Sequence, residues 1–500
     1  MKIWGISANS HDAALAVFDK DANKLKLEFA SHSERFSGIK NDPNLHCSHS
    51  IFRDGLIEYA VNNFGKPDEV VWYEKPYKKT IRQLLAGQGW QAKENNIRNY
   101  LLDYGIHAPV SFVDHHCSHA SAGYFTSGFD SATVVVLDSI GEFETLSIWE
   151  GKGTDLKRIY TQRYPHSLGL WYSAMTDRIG LKANEDEYIL MGMAAYGNPH
   201  RLFNDIMQDF VQHVDPDNSP RIVFKNNLHR GCRGWRLDLN TEQDLFDIAA
   251  ATQAVYQYFL KIISNWARWK STSGNLVLMG GCALNCAANS TIYKDWNRVW
   301  IMPNPGDSGS SVGAVLAKYQ QPIEWQGPYL GFTINRPYPV KELIQELKTV
   351  GIAGVANGAA EFGPRALGNR SLLADPRGAD IKSRVNDIKQ RQQFRPFAPA
   401  ILEEHAEEYF DGPVGPYMQY TAHCRYPEEF PAIVHHDGTS RVQTVGKADN
   451  PGFRRLLEQW YAETGCPMLL NTSLNIKGRP MVNTWREARD FAQHYGVRVF

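Results

Sequence analysis

Apolar residues in the first 150 positions fall into short runs separated by polar turns, the pattern of strands rather than helices. Lys2–Ser7 reads as a strand, and the polar turn Ala8-Asn9-Ser10-His11-Asp12 follows it. Residues 14–18 and 24–29 read as the next two strands. A β-branched run at 132–137 ends in Asp138, and residues 144–150 return after the turn Ser139-Ile140-Gly141-Glu142. The strand–turn–strand unit thus occurs twice. From 243 to 269 the period changes, with Leu245, Ile248, Ala251, Val255, Phe259 and Ile262 at helical spacing, which predicts one long packing helix. Asn275–Met279 is a further buried strand, running into GGCALNCAAN. The mixture predicts an α/β and α+β protein.

A chain of 500 residues exceeds what one hydrophobic core supports, so two domains or more are expected. Pro322, Pro328, Pro337 and Pro339 mark the boundary and divide the chain into 1–325 and 326–500. Hydrophobic content of 43% with 21% charged residues is that of an ordinary globular protein. A net charge of −1 supplies no global attraction to nucleic acid or membrane. No apolar run approaches the roughly 18–20 residues a bilayer requires. Seven cysteines, with Cys282 and Cys286 as the one close pair, make neither a disulfide framework nor a zinc ribbon. A reducing, cytoplasmic setting is the expectation.

The chemistry concentrates in a few stretches. His115 and His119 in DHHCSHA are four residues apart, so on a helix their imidazoles share one face and can grip one transition metal. Asp138 at a strand end would add a carboxylate. Asp307, in the turn of NPGDSGSSVGAVLA, reads first as a helix N-cap and second as a fourth ligand. Gly280 and Gly281 between a strand and a helix let backbone N–H groups meet a nucleotide, with Asn285 just beyond. His11 and Asp12 are candidates for acid–base or positioning work. Between Arg365 and Arg395 stand eight cationic residues (Arg365, Arg370, Arg377, Lys382, Arg384, Lys389, Arg391, Arg395) against three aspartates, which points to an anion pocket. HHDGTSRVQTV and LLNTSLNIKGRPMV place further hydroxyls and amides at strand ends. WYEKPYKKTIRQ (72–83) is basic and aromatic, compatible with nucleic-acid contact or with structural packing.

Taken in order, GISANSHDAALAV, SERFSGIKND, HHCSHA, SLGLWYSAMT, LMGMAAYG, GGCALN, NPGDSGSSVGA, EFGPRALGNRS, FRPFAPA, HHDGTSRVQTV and NTSLN resemble the O-carbamoyltransferase family. That family includes nodulation-factor, cephamycin and aminoglycoside carbamoyltransferases. The resemblance implies an actin-like (ASKHA) N-terminal domain with duplicated strand–turn–strand units and a YrdC-like C-terminal domain. The C-terminal module would form carbamoyl-adenylate from carbamoyl phosphate and ATP, with Mg²⁺ accompanying the ATP. The N-terminal one would transfer the carbamoyl group to an acceptor hydroxyl. The implied metal, a divalent or ferric ion commonly taken as iron, maps onto His115, His119, Asp138 and Asp307. Nucleotide contacts map onto Gly280, Gly281 and Asn285, and the catalytic groups onto His11, Asp12 and Lys40. Carbamoyl phosphate and ATP phosphates map onto Arg365, Lys389, Arg391, Arg395 and Ser473.

The implied partners are a small-molecule donor and an acceptor that is a sugar, an antibiotic or hydroxymethylated cytosine in DNA. No membrane is implied, and a homodimer is compatible with the pattern. The chain departs from relatives at Ala359, where a basic residue is usual, and at Arg479, where an acidic one is commoner. It is also shorter, with little chain after NTSLN. The competing readings are a tRNA threonylcarbamoyl-type transferase and a nucleotide-sensing actin-like module without turnover. The intact HxxxH, aspartates and cationic pocket speak against the sensor.

Overall fold

In the computed structural model, which describes residues 1–22, 24–47 and 55–500, the chain divides into two units. Unit 1 holds Met1–Asn9, Ala16–Leu27 and Gly65–Trp325; unit 2 holds Ser10–Leu15, Glu28–Phe64 and Gln326–Phe500. The proline-rich boundary near 325 is therefore one of several crossings. Two early segments, with His11, Asp12 and Lys40 among them, belong to unit 2 rather than to the unit that a single cut would assign.

Two five-stranded sheets organise the first 325 residues. One runs Leu25–His32, Ala14–Lys20, Lys2–Ser7, Glu69–Trp72, Val110–Phe112. The other runs Asp155–Arg163, Glu144–Lys152, Ser131–Gly141, Asn275–Met279, Arg298–Trp300. Numbered along the chain, both follow the order 3-2-1-4-5, and in each the last two strands run parallel to the first. Ala132 and Val134–Leu137 are buried because helices cover the strand, which explains the continuous apolar run. Helix His115–Thr126 packs on this sheet and against helix Ser310–Tyr319. The approach of the two helices is so close that a Cβ on Gly313 would stand 1.9 Å from the Ser118 carbonyl oxygen. The predicted long helix is Glu242–Lys270, opened by a Thr241–Asp244 capping box. Its Ile248, Ala251, Val255, Phe259 and Ile262 are buried as the period requires.

In unit 2, a sheet runs Ile352–Ala356, Arg370–Ala374, Met468–Ser473, Ala398–Leu402, Gln443–Val445. It is antiparallel except for the last pair. Leu343, Ile344 and Leu347 of helix Val340–Thr349, and Leu456, Leu457 and Trp460 of helix Pro451–Thr464, join the sheet's apolar side chains in one core. Asn450 caps the second helix and Gly465 ends it in the left-handed conformation. Among the described residues no helix is long and apolar enough to cross a membrane.

Candidate metal centre and anion pocket

The helical spacing of His115 and His119 brings their Nε2 atoms 3.1 Å apart, facing the same way. His119 Nε2 lies 3.1 Å from Asp307 Oδ1, and His115 Nε2 lies 3.4 Å from both Asp138 Oδ2 and Asp307 Oδ1. All four side chains are buried, and one ligand atom from each falls within 4.8 Å of the others. The strand carrying Asp138 continues to Gly141, but its pairing with Glu144–Lys152 is irregular between Leu137 and Gly141. Such a break re-aims a side chain, and it falls where Asp138 turns toward the histidines. Asp307 opens the short helical turn that leads into helix Ser310–Tyr319, with Gly306 at the N-cap position. Its Oδ1 faces both imidazoles.

Pro305 stitches this centre together. Its carbonyl accepts from the Gly280 N–H at 2.9 Å and from His119 Nδ1 at 3.2 Å. With Nδ1 donating, His119 presents the lone pair of Nε2 to the aspartates. Gly280 sits at φ 89°, and a Cβ there would lie 2.0 Å from the Leu137 carbonyl oxygen. The turn it permits lets the Gly281 N–H reach Asp138 Oδ1 at 3.3 Å. The predicted glycine pair is thus contiguous with the carboxylates. Asn285 caps the next short helix and exchanges amide hydrogen bonds of 3.0 and 2.9 Å with Gln253, which Tyr172 also holds.

Two carboxylates in a buried cluster require a compensating positive charge. Burial alone would lower the pKa of His115, but Asp307, Asp138 and Glu74 together raise it well above its ordinary value. Burial and Asp307 act to raise the Asp138 carboxyl; the two imidazoles prevail and hold it down at about 2. A cation among these four atoms satisfies both aspartates and both lone pairs, so the residues fit a metal. Two imidazole nitrogens and two carboxylate oxygens suit a borderline transition ion such as iron, zinc or manganese.

Unit 2 carries a second centre. Lys389 is buried, and its ammonium donates to Ser473 Oγ at 3.2 Å, Asn475 Oδ1 at 2.9 Å and the carbonyls of Ser473 and Asn475. Burial, Arg391 and Arg395 push its pKa well below the ordinary lysine value. Arg391 is held by Asn386 Oδ1 at 2.6 Å and by the ring of Phe397 at 4.0 Å. The charged groups acting on Lys389 are thus themselves cationic, an arrangement that invites an anion. Arg365 is half-buried in the turn leading to strand Arg370–Ala374, where Ser371 pairs with Ser473.

The charge count overstated this pocket. Arg370 is fully buried and donates to the carbonyls of Phe332, Asn357, Gly358, Asn369 and Asn483, burial lowering its pKa to about 10. Arg377 pairs with Asp375 and Arg384 with Asp380. Asn475 was missed; its signal was the second Asn of NTSLN. Also in unit 2, His11 Nδ1 lies 3.3 Å from Asp12 Oδ2, both at the surface. Lys40 pairs with the buried Glu34 at 3.0 Å.

Known sequences identify the family. Residues 2–316 match the family described as carbamoyltransferase N-terminus, and residues 344–500 match carbamoyltransferase C-terminus. The chain is 32% identical to nodulation protein NolNO of Sinorhizobium fredii, across 96% of this chain and 76% of that one. It is 30% identical to the 3'-hydroxymethylcephem-O-carbamoyltransferase of Amycolatopsis lactamdurans, across 97% and 95%. Among solved structures, HypF of T. kodakarensis aligns at TM-score 0.35 and 13% identity, covering 64% of this chain and 47% of that one.

Proposed function

The chain belongs to the carbamoyltransferase family, and from that premise we propose that it is an ATP-dependent O-carbamoyltransferase working through carbamoyl-adenylate. Carbamoyl phosphate and water give carbamate and phosphate; a carbamate oxygen then attacks the α-phosphorus of ATP and expels pyrophosphate. The acceptor hydroxyl attacks the carbamoyl carbon of the adenylate, its proton leaves, and AMP departs with the former carbamate oxygen. The observation that carries this reading is the presence in one chain of a buried His₂Asp₂ quartet, in unit 1, and a Lys/Arg pocket, in unit 2.

Lys389, Arg391 and Arg395 would bind the phosphoryl oxygens and stabilise the charge that develops on them. Ser473 and Asn475 orient the Lys389 ammonium. The Gly280–Gly281 turn exposes backbone close to the quartet, which suits the approach of the adenylate phosphate. His11, with Asp12 beside Nδ1, would take the acceptor's proton at Nε2. A metal held by His115, His119, Asp138 and Asp307 would supply Lewis acidity beside the Gly280–Gly281 turn. The shared 3-2-1-4-5 strand order supports an actin-like N-terminal part, and the unit 2 sheet is offered as the YrdC-like adenylating part.

The acceptor class is a hydroxyl on a sugar, an antibiotic hydroxymethyl group or a hydroxymethylated base. The test is mass spectrometry after incubation with carbamoyl phosphate, ATP and a panel holding each class. Addition of one carbamoyl group to a hydroxyl member is expected. Carbamoyl transfer to amines in place of hydroxyls, or cleavage of ATP to ADP that ignores carbamoyl phosphate, would overturn the proposal.

A further inference from the structure

The basic, aromatic stretch 72–83 is compatible in sequence with nucleic-acid contact or with structural packing, and the structure turns Tyr73 and Glu74 toward the metal quartet. The Tyr73 ring lies 5.2 Å from the His115 ring. Glu74 is 4% exposed, and its Oε2 stands 3.9 Å from His115 Nδ1. Its other oxygen accepts from Lys79 Nζ at 2.7 Å, and Lys79 is fixed in turn by the Asn9 carbonyl at 2.7 Å. Lys75 and Lys78 both bind Asp114, the residue before helix His115–Thr126. Each lysine of the stretch thus has an acidic partner.

His115 has its Nε2 among the quartet, while its Nδ1 is buried and without a hydrogen-bond partner among the described residues. A buried imidazole N–H left unpaired is costly, and the Glu74 carboxylate faces it. We infer that Glu74, braced by Lys79, is a positioning residue of the metal centre that accepts the Nδ1–H of His115. Closing by about 1 Å brings the pair into the ordinary hydrogen-bond range. The bond fixes the tautomer that leaves Nε2 free for the metal and holds the ring in its plane. Lys79 neutralises Glu74, so the pair orients the ring without adding net charge to the centre. His119 obtains the same control from the Pro305 carbonyl, so the two histidines are set by different acceptors, one anionic and one neutral.

The inference rests on the quartet being a metal site, and the experiment separates the two. The full chain, stripped and reloaded with Co(II), is titrated against a chelator as wild type, Glu74→Gln, Glu74→Ala and His115→Ala; the absorption bands of the bound ion are recorded, and urea unfolding of each metal-free protein monitors the fold. Wild type should bind one Co(II) and H115A should lose it. E74A should bind it about 10–100-fold more weakly with shifted bands. E74Q, whose amide oxygen still accepts, should fall between them. Affinities of E74Q and E74A within twofold of wild type, with H115A still defective, would overturn the role of Glu74 alone. Should E74A not fold, E74Q decides by the same criterion. A wild-type chain that binds no Co(II) would overturn the metal centre, and this inference with it.

Discussion

Gly141 is the most informative single position around the metal quartet. Its φ lies outside the left-handed region, so alanine is allowed by the backbone. A Cβ built there would stand 2.1 Å from His115 Cδ2 and 2.8 Å from its Nε2. Ordinary carbon contacts begin near 3.4 Å, so the ring must retreat by more than 1 Å. Metal–ligand bonds tolerate only about 0.2 Å of displacement. Gly141→Ala should therefore cost about 1–3 kcal/mol of stability through overpacking and weaken metal binding by about tenfold or more. Gly234→Ala is the control, because a Cβ at that position would meet nothing within 4 Å and its backbone is not left-handed. Metal content by elemental analysis and affinity by chelator competition, beside urea unfolding, separate the two effects. A G141A protein that keeps its metal affinity within twofold refutes the placement of His115.

Replacing Lys389 with Met should abolish carbamoyl phosphate-dependent AMP release and lower pyrophosphate affinity at least tenfold by calorimetry, while leaving metal content unchanged. Arg370→Met strips hydrogen bonds from five backbone carbonyls and should destabilise unit 2 by about 3–5 kcal/mol in urea unfolding. His32 is buried, and burial with the neighbouring Arg35 lowers its pKa from 6.5 to about 4. The unfolded chain then takes up a proton first, so stability is complete above pH 6.5 and declines toward pH 4, by about 3 kcal/mol from this group. A His32→Gln variant should flatten that slope in unfolding measured across the pH range. Chelation of the metal should lower the melting temperature, a bound ion at about 100 times its dissociation constant contributing about 2.7 kcal/mol, and should stop transfer while AMP formation persists.

The HxxxH pair was legible because helical spacing fixes which side chains share a face, whatever the tertiary structure. Asp138 was legible from the carboxylate that ended an apolar run. Asp307 was not, since a turn that opens a helix looks the same whether its aspartate caps the helix or faces away; only the neighbouring histidines decide. Glu74 was hidden among lysines, far along the chain from its imidazole, with no spacing to link the two. Charge counting took in Arg370, whose guanidinium is spent on backbone carbonyls, because composition does not show which acceptors a cation meets. Alternation and apolar runs found six strands of the two N-terminal sheets. They did not reveal that residues 28–47 and 55–64 group with the C-terminal unit, which depends on long-range contacts with no local periodic signature.

The most direct test of the central claim follows ATP in the absence of any acceptor. The purified chain is incubated with ATP, Mg²⁺ and carbamoyl phosphate, and nucleotides and pyrophosphate are quantified. Pyrophosphate should appear only when carbamoyl phosphate is present, in K389M not at all, and in His119→Ala as in wild type, because that change spares the anion pocket. Release of ADP and phosphate irrespective of carbamoyl phosphate, or undiminished pyrophosphate from K389M, would contradict the account.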